Sequence, residues 1–174
     1  PNRYHNLAFS TFFFRDIGTH RSLIRLVNEL NLMEEVYREH ELKNTNVLSL
    51  FDPEDIINIT HLKLKYPAVF NDIERRRSFY TQPLIHSDEY FEFHLLDSEE
   101  RRAQSKKRIE DLFEKSGIGY DNQKVVQLLL TNLFPDIGAL FSGSTTRGNM
   151  VGSLEDKKRL SKRVMLDAFF GYLS

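Results

Sequence analysis

Apolar positions recur at helical spacing from residue 19 onward. Thr19 is a favourable N-cap for a helix over about 20–31, because its hydroxyl can accept a hydrogen bond from the first turn. The apolar positions of this helix are Leu23, Ile24, Leu26, Val27 and Leu30. Such a stripe is typical of a helix that packs one face against a core. The residues that follow, 31–46, are mostly polar, although their few apolar positions could continue the helix.

Prolines and acidic caps mark the next two helices. Asp52 and Pro53 supply an N-cap and a first helical residue, which predicts a helix to about Lys65. Pro67 disfavours helical geometry at Tyr66, the residue before it, and then opens a second helix.

Two more helix starts follow later in the chain. Asp97, with Glu100 three residues on, has the spacing of a capping box and predicts a helix that ends at Gly117. We expect Asp121 to cap the next helix. Its dense valine and leucine positions predict burial on most sides before Pro135 stops it.

The remaining segments are consistent with a single all-α fold. We expect the apolar run 7–14 to lie in the core, residues 89–96 to form a short helix, and residues 142–153 to be a flexible loop. A last helix, or a helix pair broken near Ser161, spans about 154–173. Because no repeat or linker divides the chain, we predict one irregular helical bundle of about 6–8 helices.

Composition narrows the class of protein. The 174 residues include 24 basic and 25 acidic side chains and no cysteine, which indicates one domain over 1–174 and excludes a disulfide scaffold, a Cys-based metal site and a uniformly basic domain. No apolar run approaches the roughly 18 residues of a membrane span, so we expect a cytoplasmic protein. Since the chain begins at Pro1 and an apolar pattern still runs at Ser174, we expect it to be part of a larger protein.

Catalytic and metal motifs are incomplete in this sequence. The loop from Gly143 begins like a phosphate-binding P-loop, but Asn149 and Met150 stand where the motif needs Lys and then Ser or Thr. The six histidines have no metal-ligating spacing, and no nucleophile elbow is present. We therefore expect no catalytic activity, cofactor or metal from this chain alone.

Three polar residues on the first helix form the candidate site. Arg21, Arg25 and Asn28 share one helix face, and the two like charges repel unless an anion lies between them. Arg21 is also in the first turn, where free backbone N–H groups favour a phosphate. The alternative is ordinary ion pairing, with Glu29 accepting from Arg25 and Asp16 reaching Arg21, and residue spacing alone favours this alternative.

Two basic runs, 101–108 and 157–163, could contact a nucleic-acid backbone. Acidic residues directly precede each run, which is typical of a solvated amphipathic helix, and the aromatic residues that stack on single strands are missing. The solvated helix is the favoured interpretation, and a free-standing nucleic-acid-binding or protein-binding module remains the alternative function.

Four segments resemble the KAP family of P-loop NTPases. The segment GTHRSLIRLVNEL resembles the family's helix after the nucleotide-binding core, although His20 replaces a proline. Its matching positions are Gly18, Thr19, Arg21, Arg25 and Asn28. The segments at 62–73, 130–135 and 158–174 are similar to later family motifs in the same order, and the last of these departs at Lys162, Arg163, Met165 and Ala168.

The resemblance implies a helical lid or regulatory region that lies C-terminal to an ATPase core in a larger α/β protein. Arg21 would act as the sensor 2 arginine that reaches the terminal phosphates of ATP, with Arg25 and Asn28 beside it. ATP and Mg²⁺ would be bound by the missing core, since neither a Walker A lysine nor a Walker B acid is present here. The family also implies bacterial phage defence as a setting, and a protein partner that receives the signal.

Overall fold

Helices account for all regular structure in the described part of the chain, residues 16–39, 50–83, 97–142 and 155–173 of the computed structural model. The α-helices are α1 (His20–Glu39), α2 (Pro53–Lys65), α3 (Pro67–Arg75), α4 (Arg77–Thr81), α5 (Ser98–Lys115), α6 (Tyr120–Leu133), α7 (Pro135–Ser142) and α8 (Arg163–Leu173), with a 3-10 helix at Glu155–Lys158 before α8. The predicted all-α bundle is confirmed for these residues.

The predicted caps of α2 and α5 are confirmed. Asp52 accepts hydrogen bonds from the backbone N–H groups of Glu54 and Asp55 at 3.0 and 3.2 Å. Asp97 accepts from the backbone of Glu100 at 2.9 Å, while the Glu100 carboxylate accepts from the Asp97 N–H at 3.1 Å. These short-range bonds satisfy N–H groups that have no partner within the helix, so they fix both helix starts locally.

The predicted cap of α6 is wrong. The N-cap position is Gly119, which makes no side-chain cap bond, and Asp121 lies inside the first turn. Gly119 has an extended backbone, and its carbonyl accepts from the Gln123 N–H at 2.9 Å, so the helix begins two residues earlier than an Asp121 cap requires. At its observed position Asp121 still places negative charge at the positive end of the helix.

The carboxyl-terminal break is confirmed at Ser161, where a turn separates the 3-10 helix from α8. Three predictions lie outside the described residues: core packing of 7–14, a helix at 89–96, and a flexible loop at 142–153 except for Ser142, which ends α7.

A single core joins the described helices. α2 is central and packs against α1, α3 and α6, while α8 packs against α1 and α4 and α7 contacts α4, α5 and α6. Phe169 of α8 meets Phe51 edge to face at 5.9 Å between ring centroids, and Phe170 lies 5.3 Å from Phe70. α8 therefore closes the core over the start of α2 and over α3. None of the described helices is both long and apolar enough to cross a membrane.

The orientation of α1 differs from the prediction. Leu26 and Met33 are buried, whereas Leu23, Ile24 and Val27 are exposed. The physical reason is that α2 and α8 contact α1, and the side of α1 that joins the shared core carries Leu30 and Met33, roughly 60° around the helix from the centre of the predicted stripe. The apolar stripe of this helix is broader than the face that the bundle covers.

Candidate functional site

The start of α1 is fixed by a turn and a cap. Gly18 has a φ of 67°, a left-handed conformation that favours glycine. The Thr19 hydroxyl accepts from the Ser22 N–H at 3.2 Å, and the Thr19 carbonyl accepts from the Leu23 N–H at 3.1 Å. The predicted Thr19 cap is confirmed, and it sets the position of Arg21 in the first turn.

A buried carboxylate anchors this turn to α2. His61 Nε2 lies 2.6 Å from Asp16 Oδ2, and the Tyr66 hydroxyl donates to the same carboxylate at 3.2 Å. Lys65 donates to the other Asp16 oxygen and to the Asp16 backbone carbonyl, the latter at 2.7 Å. We call these four residues the Asp16 cluster. Because Asp16 is only two residues before Gly18, the cluster holds the approach to α1 against the end of α2.

The electrostatics of the Asp16 cluster favour an ionised carboxylate. Burial alone would raise the pKa of the Asp16 carboxyl, but hydrogen bonds from His61 and Lys65 outweigh burial and hold that pKa below its usual value. Burial and the nearby Asp16 charge raise the pKa of the Tyr66 hydroxyl, which stays a donor. The cluster is therefore a satisfied structural network.

These contacts show that the ordinary pairing predicted for the two arginines is wrong. Asp16 is engaged by the Asp16 cluster, and the Glu29 carboxylate accepts from Lys63 of α2. The physical reason is that α2 packs beside α1 and brings its own lysines to both carboxylates. Neither Arg21 nor Arg25 forms an ion pair with another residue that the structure describes.

Arg21, Arg25 and Asn28 lie together on one exposed face, as their spacing predicts. All three side chains are exposed, and each is one turn from the next. Two adjacent arginines that form no ion pair with a described residue make a cationic surface, and the planar fork of each can bind a phosphate or carboxylate through paired hydrogen bonds. The described structure supplies a start of α1 that is hydrogen-bonded through the Thr19 cap and the Asp16 cluster, and two exposed arginines beside it.

Sequence reasoning missed a second buried acid, Asp55. Its side chain is fully buried, its Oδ2 accepts from the Leu160 N–H at 2.7 Å, and its Oδ1 lies 3.0 Å from Arg159 Nη2. Burial raises the pKa of the Asp55 carboxyl to about 7, although Arg159 and the Leu160 N–H both act to lower it. The sequence does carry a clue to this burial. Asp55 lies one helical turn (i, i+4) before Ile59, and Ile59 is buried, so both side chains are on the core face of α2.

The arginines of the two basic runs are mostly engaged within the fold. Arg102 donates to the Ala139 carbonyl, and the Arg108 guanidinium lies 4.8 Å from the centroid of the Phe79 ring. Arg159 pairs with Asp55, and Arg163 Nε donates to Asp167 at 2.6 Å. These contacts tie α5 to α7 and the turn before α8 to α2, so they do not favour a nucleic-acid interface on either run.

Comparison of the chain with protein-family models, with curated proteins and with solved structures found no match. Within the described ranges, no group of three or more acidic or histidine side chains is arranged to hold a metal ion.

Proposed function

We propose that this chain is the helical lid of an ATPase similar to the KAP family, and that Arg21 contacts the terminal phosphates of ATP bound by a separate core. The observation that carries the proposal is the pair of exposed arginines whose expected partners, Asp16 and Glu29, are taken by α2. An arginine that forms no ion pair can bind a phosphate without first breaking one.

The base of α1 supports this role. The Asp16 cluster and the Thr19 cap join the first turn of α1 to α2, so a force on Arg21 would reach the core of the bundle. Arg25 and Asn28 extend the same face and would contact the core around the nucleotide. ATP and Mg²⁺ belong to the missing core in this proposal, and the chain supplies charge and position. We also propose a cytoplasmic location, as expected from the sequence, and the family resemblance points to bacterial phage defence as the setting.

Replacing Arg21 by Ala in the complete protein tests the proposal. We expect ATP turnover to fall about tenfold or more, because a preorganised cation facing the transferring phosphoryl group is lost. The melting temperature of the 174-residue chain should stay unchanged, since Arg21 is exposed and has no described ion pair.

Arg75→Ala is the matched control, because Arg75 is also an exposed helical arginine but lies at the end of α3. Turnover of Arg21→Ala equal to that of the Arg75 variant would refute the sensor role. The coding sequence upstream of Pro1 gives an independent test: a G-x-x-x-x-G-K-[ST] motif after an apolar strand is expected there.

A further inference from the structure

The outer surface of α1 carries a self-complementary pattern. At about 100° per residue, seven side chains fall on the side of α1 opposite its buried side, and all seven are exposed. We call them the outward face: Arg21, Ile24, Arg25, Asn28, Asn31, Leu32 and Glu35. α2 and α8 cover the other side of the helix.

Apolar exposure is concentrated on this helix. Of the six large apolar side chains found exposed in the described structure, four belong to α1. Ile24 and Leu32 lie on the outward face with 45% and 52% of their surface exposed, and Val27 at its edge is 47% exposed. A cluster of this kind on one helix is typical of a protein interface, because scattered single residues would not line up at helical spacing.

Charge is divided between the two halves of the outward face. Arg21 and Arg25 occupy the amino-terminal half, Glu35 occupies the carboxyl-terminal half, and none of them forms an ion pair with another described residue. Asn28 lies midway between Arg21 and Glu35.

From this pattern we infer that a second copy of the chain docks antiparallel on α1, with its two-fold axis at Asn28. In that register Arg21 faces Glu35 of the second copy, Ile24 faces Leu32, and Asn28 faces itself, each contact occurring twice as an isologous interface requires. A parallel pair would place Arg21 against Arg21 and Glu35 against Glu35, which repel. The inference uses only the exposure and charge of α1 and does not rest on the proposed function. The two contacts exclude each other at Arg21, so the dimer must dissociate before Arg21 can contact a nucleotide.

One pair of helices buries less surface than a standard stable interface, so the dimer should be weak, with a dissociation constant of about 10–100 µM. In sedimentation equilibrium we expect concentration-dependent association of the 174-residue chain.

Leu32→Asp should weaken this association at least tenfold, because it places two charges in the apolar contact. Val164→Asp is the control, since Val164 is 78% exposed on α8, away from this face, and it should leave association unchanged. A chain that stays monomeric at about 500 µM would overturn the inference.

Charge exchange tests the register. Arg21→Glu and Glu35→Arg should each weaken self-association at least tenfold. An equimolar mixture of the two variants should regain association, because the introduced glutamate of one chain then faces the introduced arginine of the other. Failure of the mixture to associate would overturn the antiparallel pairing.

Cysteine cross-linking tests the axis, and the native chain contains no cysteine to interfere. Asn28→Cys should form a disulfide-linked dimer on mild oxidation, because the two sulfur atoms meet at the axis. Arg21→Cys should not, since its two copies would lie about 21 Å apart along the helices. Equal cross-linking of both variants would contradict the inferred register.

Discussion

Burial strongly raises the pKa of the Asp55 carboxyl. With a folded pKa of about 7 against a reference value of 3.8, the folded chain holds the Asp55 proton more tightly than the unfolded chain does. The contribution of this residue to the free energy of unfolding is therefore fully present below about pH 4 and is lost as the pH rises to about 7.

Asp55→Asn is expected to remove this pH dependence. The asparagine carbonyl can still accept from the Leu160 N–H, and it carries no charge to desolvate. The difference in unfolding free energy between wild type and variant should shift by a few kcal/mol in favour of the variant between about pH 4 and pH 7, since each pKa unit corresponds to about 1.4 kcal/mol. Urea unfolding of both proteins across this range measures the difference, and parallel pH profiles would contradict it.

At the scale of elements, two glycines inside helices predict opposite effects of the same substitution. A Cβ on Gly138 of α7 would lie 2.5 Å from Thr131 Cγ2 and 3.0 Å from Thr131 Cβ, whereas one on Gly171 of α8 would meet nothing within 4 Å. α6 and α7 therefore approach so closely at Gly138 that only glycine fits without a shift.

Gly138→Ala should lower stability by about 1–3 kcal/mol through overpacking, and Gly171→Ala should raise it by about 0.5–1 kcal/mol through helix propensity. Thermal unfolding followed by circular dichroism measures both. Adding Thr131→Ala removes the contact at 2.5 Å and keeps only the one at 3.0 Å to Cβ, so most of the cost of Gly138→Ala should disappear in that background. An undiminished cost in the double variant would assign the effect to something other than this contact.

The sequence could predict contacts within one helix but could not predict contacts between helices. The caps at Asp52 and Asp97 depend on residues two or three positions away, so residue types alone identified them. The partners of Asp16 lie 45 to 50 residues further on, and they are set by how α2 packs beside α1. For the same reason the sequence located Arg21 and Arg25 on one face but could not assign the carboxylates around them.

The exposed apolar residues of α1 are a second feature that the sequence predicts only in part. Helical spacing correctly predicted a helix and its start at Thr19, but the sequence offered more apolar positions than the bundle covers. The packing of α2 and α8 decides that Met33 faces inward while Ile24 faces out. An amphipathic pattern therefore predicts which residues can be buried, and the neighbouring helices select among them.

At the scale of the whole molecule, one core should give one unfolding transition. Phe169→Ala removes a fully buried ring that joins α8 to the start of α2, and it should cost about 3–5 kcal/mol. Because the core is shared, we expect all helices to melt together at a lower temperature. Circular dichroism and tyrosine fluorescence should report the same midpoint, and Phe169→Leu should recover much of the loss. Melting of α8 alone, with the remaining helices unchanged, would contradict a single cooperative unit.

The hydrogen bond between Leu160 and Asp55 determines when during synthesis the bundle can become stable. The two residues are 105 positions apart, and the partners of the buried carboxylate are among the last described residues that the ribosome makes. Until they emerge, a nascent chain has a carboxylate with no counter-ion and an uncovered Phe51 at the start of α2. The bundle therefore acquires its native stability only after residues 159–169 have been made, and before that its apolar surface is available to chaperones or to other nascent chains.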